Sequence, residues 1–270
     1  DHFRIISSAA TRERDKFHIN KHLTKDVELK DVTDDYCVFG VFGPKSRALM
    51  KSISKDNFEN DNFRFSTAKY ITIEGIKIWT QRLSYVGELG YELYVKSENA
   101  KKIYELLVNK GKDFNLSNCG MHAMDIMRME SGFLHWGHDI SPEENQYQAG
   151  LSFTISSKKE DEFIGKKALE KIKKEKIKSR FAMFTLKDSK PGEPLLLHDE
   201  PIYLENNIIG RSTSGNYSFN FKKNLTFGYI NNDISNDELH KKDLFIEIEK
   251  KKYPIEAIIK PLKQTNFKNN

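Results

Sequence analysis

Between residues 91 and 95 the side chains alternate: Tyr91, Leu93 and Val95 recur at every second position, and Glu92 and Tyr94 fill the places between. A period of two is that of a strand with one buried face. It sends Glu92 to the face opposite the core, among aromatic side chains. Residues 82–86 are also rich in β-formers, and Gly87-Glu88-Leu89-Gly90 between the two runs reads as the loop of a hairpin.

The same reading extends over the chain. Residues 1–8 read as a strand and 11–21 as a helix, with Phe17 and Ile19 set among charges. Strands are expected at 27–29 and 36–41, then a helix over 45–54 that starts behind Pro44, where proline suits a first turn. Residues 71–80 continue the sheet. Over 99–110, Ile103, Leu106 and Leu107 fall at helical spacing. Over 118–131, Met121, Met124 and Met127 stand three apart, with Gly132 as the stop.

A lysine-rich helix over 166–178 acts as a connector. Beyond residue 179 the texture changes to short strand-like runs at 181–187, 201–205, 208–212, 225–230, 244–249 and 254–259, separated by polar turns. Such spacing predicts a small antiparallel barrel or sandwich. The whole is an α+β chain, with a mixed α/β region over 1–168 and an all-β domain over 169–270.

Charge and composition narrow the classes. The 270 residues carry 44 basic and 39 acidic side chains, a net charge of +5. Lysines cluster at 171–178, 241–242 and 250–252 beside acids, which is the pattern of solvated faces rather than of a nucleic-acid stripe. A mild positive field still favours an anionic ligand. Cys37 and Cys119 form neither a disulfide framework nor a metal cluster, and both are expected as small core residues. No apolar run reaches the roughly 20 residues that cross a bilayer, and no signal peptide is evident. The expected setting is a reducing compartment, cytoplasmic or, in a eukaryote, the mitochondrial matrix. The opening at Asp1 without Met, directly into the apolar run 3–6, suggests a piece of a longer protein.

Tyr85-x-Gly-Glu-x-Gly-Tyr-Glu92 resembles the signature of the folate-binding aminomethyltransferase family, which includes the glycine cleavage T-protein and the C-terminal regions of dimethylglycine and sarcosine dehydrogenases. Ile5-Ile-Ser-Ser-Ala-Ala-Thr-Arg-Glu-Arg-Asp15 is similar to an early segment of that family, Asp161-Glu-Phe-Ile-Gly-Lys166 to its Asp-Phe-x-Gly-Lys element, and Ser212-Thr-Ser-Gly-Asn-Tyr-Ser218 to a Thr-Ser-Gly-x-x-Ser turn. The four matches keep the family's order and span nearly the whole chain. They imply a folate-binding region followed by a C-terminal barrel, with about the first quarter of the fold lying upstream of Asp1.

The resemblance also implies roles. Tetrahydrofolate presents adjacent N–H donors on its pterin edge, which one carboxylate accepts side by side; Glu92 holds the family's place for that carboxylate, with Tyr85 flanking the ring. Asp15 is implied to orient folate and assist proton removal as the one-carbon unit moves, since a carboxylate beside a reacting amine accepts a proton and stabilises an iminium-like cation. Phe153 is a candidate for stacking on folate, or else a core residue. Met127-Arg-Met-Glu-Ser-Gly132 resembles Leu-Arg-Leu-Glu-x-Gly, with Arg128 and Glu130 expected to pair in the interior.

One departure is informative. The T-protein carries a folate-contacting arginine just before the helical aspartate, and here Met124 precedes Asp125. With His135-Trp-Gly-His-Asp139, this resembles the dehydrogenase branch. There an upstream flavin (FAD) oxidoreductase domain oxidises an N-methyl group of dimethylglycine, sarcosine or a similar methylated amine, and the folate region captures the carbon as 5,10-methylenetetrahydrofolate. The alternatives are a T-protein acting on a lipoyl carrier protein, and an inert folate-binding module. His135 and His138 lack the converging ligands of a zinc site, and no Gly-x-Gly-x-x-Gly or P-loop is present. Neither a metal, a nucleic-acid nor a membrane partner is expected.

Overall fold

The computed structural model describes residues 2–156 and 158–264. They group into two compact units, one of residues 2–84 and 88–118 and one of 85–87 and 119–264.

The first unit is a four-stranded antiparallel sheet, β1 (Tyr36–Phe42), β2 (Ala68–Ile73), β3 (Ile76–Gln81) and β4 (Gly90–Lys96), in the order β1-β4-β3-β2. Helices α1 (Arg12–His22), α2 (Ser46–Ile53) and α3 (Ala100–Gly111) accompany it. Tyr91, Leu93 and Val95 of β4 are fully buried, in one core with Leu49 and Met50 of α2 and Ile103 and Leu107 of α3. The i, i+4 spacing of Ile103 and Leu107 turns one stripe of α3 onto the sheet. Burying each such side chain is worth about 1.5–3 kcal/mol, which fixes the register of β4.

Four local expectations change in this unit. Residues 2–8 and 27–29 are irregular, not strands; they have no ladder partner among the described residues, and Phe3, Ile5, Ile6 and Val27 are exposed. Residues 71–80 divide into β2 and β3 at Glu74 and Gly75, whose φ values of 47° and 80° suit a two-residue hairpin turn. The hairpin expected over 82–95 runs instead from β3 to β4, with Trp79 opposite Tyr94 and Gln81 opposite Glu92. Arg82 stays tied to the end of β2, its N–H donating to the Thr67 carbonyl (2.9 Å) and its carbonyl accepting from the Ser66 N–H (2.9 Å), while its buried guanidinium donates to the Phe63 carbonyl (2.6 Å); residues 83–86 form no strand.

The second unit contains α4 (Met121–Glu130), α5 (Lys166–Lys174), α6 (Asn236–Lys241) and the strands β5 (Ser179–Leu186), β6 (Pro201–Leu204), β7 (Asn207–Ser218), β8 (Lys223–Asn231), β9 (Leu244–Ile248) and β10 (Lys251–Ile258). The six strands close into an antiparallel barrel in the order β10-β5-β8-β7-β6-β9, which removes open sheet edges. Phe184, Ile202, Ile246 and Ile255 are in its core. The 212–218 motif is not a turn but the second half of β7, with a register shift between Ser212 and Ser214.

That shift serves a buried charge. Arg128 on α4 and Asp139 are both 1% exposed and pair directly. Arg128 also donates to Asp125 Oδ1 (2.9 Å), the Phe133 carbonyl (3.0 Å) and Ser214 Oγ (2.8 Å). Asp139 accepts from Thr213 (2.6 Å), Ser214 (2.8 Å) and the His135 N–H (2.9 Å), and its carbonyl accepts the Tyr229 hydroxyl (2.8 Å). The expected Arg128–Glu130 pair is corrected: Glu130 accepts from Ser218 (2.6 Å) and Asn220 (2.9 Å). Residues two apart on a helix face different directions, so the two charges find separate partners. The cysteines are corrected as well, since Cys119 is exposed and Cys37 only partly buried.

Removing one member of a buried ion pair strands the other charge. Asp139→Ala is expected to lower unfolding stability in urea by about 3–5 kcal/mol, whereas Asp125→Ala, at a partly exposed partner, costs about 1 kcal/mol or less. Gly210→Ala would set a Cβ 1.9 Å from the Tyr229 carbonyl oxygen, and a loss of about 1–3 kcal/mol is expected in the same assay as β7 is forced off β8.

Candidate functional site

The face of the sheet opposite α2 and α3 follows from the strand period. Glu92 and Tyr94 of β4 lie there, with Val38 of β1 and Trp79 of β3 opposite Tyr94, and Gln81 opposite Glu92. The Tyr94 hydroxyl donates to Glu92 Oε2 (3.0 Å). Burial, then the adjacent Glu92 charge, pushes the Tyr94 pKa up, so the phenol keeps its proton. Glu92 itself is half-buried, and its other carboxylate oxygen accepts no hydrogen bond among the described residues.

Tyr94 also lines a cleft of about 290 Å³, shared with Arg4, Asp15, Ile19, Leu29 and Val38. Asp15 is in the first turn of α1, where the helix dipole favours a negative charge. Thr11 donates to its carboxylate (2.6 Å) and Arg14 pairs with it (2.9 Å), and together they hold its pKa below the usual carboxylate range. Arg12 on the same helix ties down the neighbouring loop, bridging to Asp31 (2.8 Å) and Asp34 (2.9 Å). Both of those carboxylates are held low by this guanidinium.

Two other sequence candidates belong to the barrel unit. Tyr85 donates to the Leu134 carbonyl (3.1 Å), and its ring stacks on Phe133 at 6.4 Å and 15°. Burial pushes its pKa up to about 12. Phe153 is 81% exposed in the short turn of helix Ser152–Thr154 and is not a core residue. The His135 and His138 rings are 4.5 Å apart, and His135 Nδ1 is 4.0 Å from Asp125. Burial, then His138, lowers the His135 pKa and keeps that ring neutral. Among the described residues no group of three or more His, Cys, Asp and Glu side chains is arranged to hold a metal ion, and no helix is long and apolar enough to cross a membrane.

Tyr94 thus hydrogen-bonds to Glu92 and lines the same cleft as Asp15. Sequence reasoning had put Tyr94 on the right face but gave it no part. Arg4, which also lines the cleft, was not singled out from the sequence, because a lone arginine in an apolar run carries no pattern. Chemically, a carboxylate with one open oxygen on an aromatic-lined face is suited to paired N–H donors, and a persistent anion at Asp15 is suited to a cationic centre.

Comparison with known proteins agrees with this architecture. The glycine cleavage T-protein model named GCVT N-terminal domain matches residues 1–159, and the one named Glycine cleavage T-protein C-terminal barrel domain matches residues 180–263. The chain is 32% identical to human mitochondrial dimethylglycine dehydrogenase, over 99% of this chain and 31% of that protein. It is 35% identical to 4-methylaminobutanoate oxidase (formaldehyde-forming) from Paenarthrobacter nicotinovorans, over 80% of this chain and 26% of that protein. The chain thus spans about a quarter to a third of the length of these relatives. Its fold matches the crystal structure of the glycine cleavage system aminomethyltransferase T from Bartonella henselae with a TM-score of 0.78 and 20% identity, over 94% of this chain and 67% of that one. On these matches, with both domains present in order, the chain belongs to the glycine cleavage T-protein family, of the folate-dependent aminomethyltransferase type.

Proposed function

We propose that this chain is a tetrahydrofolate-dependent one-carbon acceptor, taking the carbon released by oxidative N-demethylation of a dimethylglycine- or sarcosine-like amine. The observation that carries the reading is the Glu92 carboxylate, fixed by Tyr94 on the outer face of the sheet with its second oxygen open. That donor set fits a pterin edge, which offers the side-by-side N–H groups a carboxylate accepts. Bound tetrahydrofolate supplies the nucleophilic nitrogens on which the carbon ends as 5,10-methylenetetrahydrofolate. The relatives named for dimethylglycine and 4-methylaminobutanoate support an N-methyl amino acid as the carbon source. The oxidation itself is assigned to a flavin domain of the parent protein.

Within this scheme Asp15 acts by charge. Thr11 and Arg14 stabilise its ionised form, so it is a poor proton acceptor and a good stabiliser of an iminium-like cation. Tyr85 is a proposed folate contact on the strength of the motif, held rigid by Phe133 and Leu134. Phe153, exposed, is proposed as a second aromatic contact.

Glu92→Gln keeps the shape of the side chain and removes its charge. Each charge-assisted hydrogen bond lost is worth about 1.5–3 kcal/mol, so calorimetric titration should show tetrahydrofolate binding weakened roughly ten- to a hundredfold. Equal affinity in the variant would remove Glu92 from the site. Asp15→Asn is expected to slow folate-dependent capture about a hundredfold with tetrahydrofolate affinity nearly unchanged. Because the folded pKa of Asp15 is depressed, its charge persists down through the usual carboxylate value of about 4. The capture rate should therefore show no Asp15 limb between about pH 5 and 8; an acidic limb there that vanishes in Asp15→Asn would contradict the electrostatic role.

A further inference from the structure

His18 and His22 are two imidazoles of the sheet unit that nothing above uses. They stand four residues apart on α1 and so share one face of the helix, a single turn apart. Both are exposed, and their rings approach to 4.6 Å between centroids at 48°. This face is not that of the cleft, which Arg12, Asp15, Lys16 and Ile19 line and the two histidines do not.

The aim of His22 is set by the backbone. Its Nδ1 is 2.8 Å from the His18 carbonyl oxygen. A carbonyl only accepts, so Nδ1 carries the proton and Nε2 of the neutral ring keeps its lone pair. An Nδ1–H held on a backbone carbonyl is the support that metal-ligating histidines use, since it fixes both the tautomer and the direction of the other nitrogen. Two histidines at i and i+4 on one helix face can bring such nitrogens to one ion. The place also favours a cation, because His22 is the last residue of α1 and the carbonyl end of a helix carries partial negative charge. The cations nearby are Lys21 and, one turn before His18, Arg14; the latter is paired with Asp15 (2.9 Å), which lessens its repulsion.

Helix α1 has much to gain from an ion there. It is 11 residues long, buries no side chain and has no side-chain hydrogen bond at its N-cap. A helix of that length without packing is marginal in water. Arg12 ties the first turn to Asp31 and Asp34, whereas among the described residues no ion pair holds residues 19–22.

We propose that His18 and His22 form a two-imidazole site for a late first-row divalent cation, Zn²⁺, Ni²⁺ or Cu²⁺, and that the ion clamps the last turn of α1. Imidazole suits these ions, whereas Mg²⁺ and Ca²⁺ require oxygen ligands. Two side chains fall short of a structural zinc cage, so water completes the shell and the ion exchanges with solvent. An ion held by both rings binds the helical form and not the frayed one, and it stabilises that form by linkage. The site does not rest on the proposed function.

The test is calorimetric titration of the purified 270-residue chain with Zn²⁺ and with Mg²⁺, in parallel with His18→Ala, His22→Ala, His2→Ala and His135→Ala, each shown to be folded by circular dichroism. The wild type should bind Zn²⁺ and not Mg²⁺. Loss of either α1 ring should weaken Zn²⁺ at least about tenfold, since even the outer partners of a metal ligand are worth that much. His2→Ala and His135→Ala should bind as the wild type does. Zn²⁺ should also slow tryptic cleavage after Lys16 and Lys21 in the wild type and leave it unchanged in His18→Ala. No Zn²⁺ binding, equal binding of Mg²⁺, or binding that survives both α1 variants would each overturn the site. Binding that leaves wild-type cleavage as fast as before would overturn the clamp.

Discussion

The sheet face proposed to hold folate depends on the two-residue period of β4. Tyr91, Leu93 and Val95 must enter the core beneath α2 and α3, and that requirement alone turns Glu92 and Tyr94 to the other side. A slip of one residue would exchange the two sets. It would bury a carboxylate without a partner, at a cost of several kcal/mol, and expose three large apolar side chains. The hydrophobic core therefore acts as the positioning device for Glu92. Tyr94 refines it, since a phenol kept protonated by burial is a dependable donor to the carboxylate beside it.

In the barrel unit the organising element is polar. Arg128 is almost wholly removed from water, yet it reaches two carboxylates, a carbonyl and a hydroxyl. Asp139 in turn collects Thr213, Ser214 and the His135 N–H. Helix, connecting segment and barrel strand are thus tied to one charge. A buried pair of this kind is weak evidence for extra stability, because desolvation offsets the attraction. Its effect is on specificity: few alternative packings satisfy all of these donors and acceptors at once, so the bulge in β7 and the course of residues 133–139 are set together.

Much of this was legible from the sequence where a period could be read over several residues. The helices at 45–54, 99–110 and 118–131 and the six barrel strands declare themselves through spacing and turn residues. The failures have local physical causes. Residues 3–6 and 27–29 look like strands because they are apolar, but a strand needs a ladder partner and none is present among the described residues. Residues 82–86 look like half a hairpin, yet β3 at Ile76–Gln81 already holds the place beside β4, and Arg82 is tied to residues 66 and 67 instead. Glu130 was given to Arg128 by proximity in sequence, whereas residues two apart on a helix point in different directions. The outer-face placement of Glu92 followed from the alternation, and the role proposed for it from the motif. The position of Arg4 over the rings of Tyr36 and Trp79 lay beyond sequence reasoning, because only strand pairing brings those rings onto one face.

The two carboxylates of the sheet unit illustrate how environment divides one chemistry into two roles. Asp15 is tied to a guanidinium and a hydroxyl at a helix start, so its charge persists and what it offers is a field. Glu92 is tied only to a neutral phenol, so its charge is uncompensated by any cation among its hydrogen-bond partners and what it offers is directional acceptance. An anion already neutralised by Arg14 attracts a cation weakly in water but more strongly in a cleft walled by Ile19, Leu29 and Val38, where the effective dielectric is lower. A cationic intermediate gains from such a site mainly once water has left it. On this argument, the role proposed for Asp15 depends on the apolar wall of the cleft as directly as on the carboxylate.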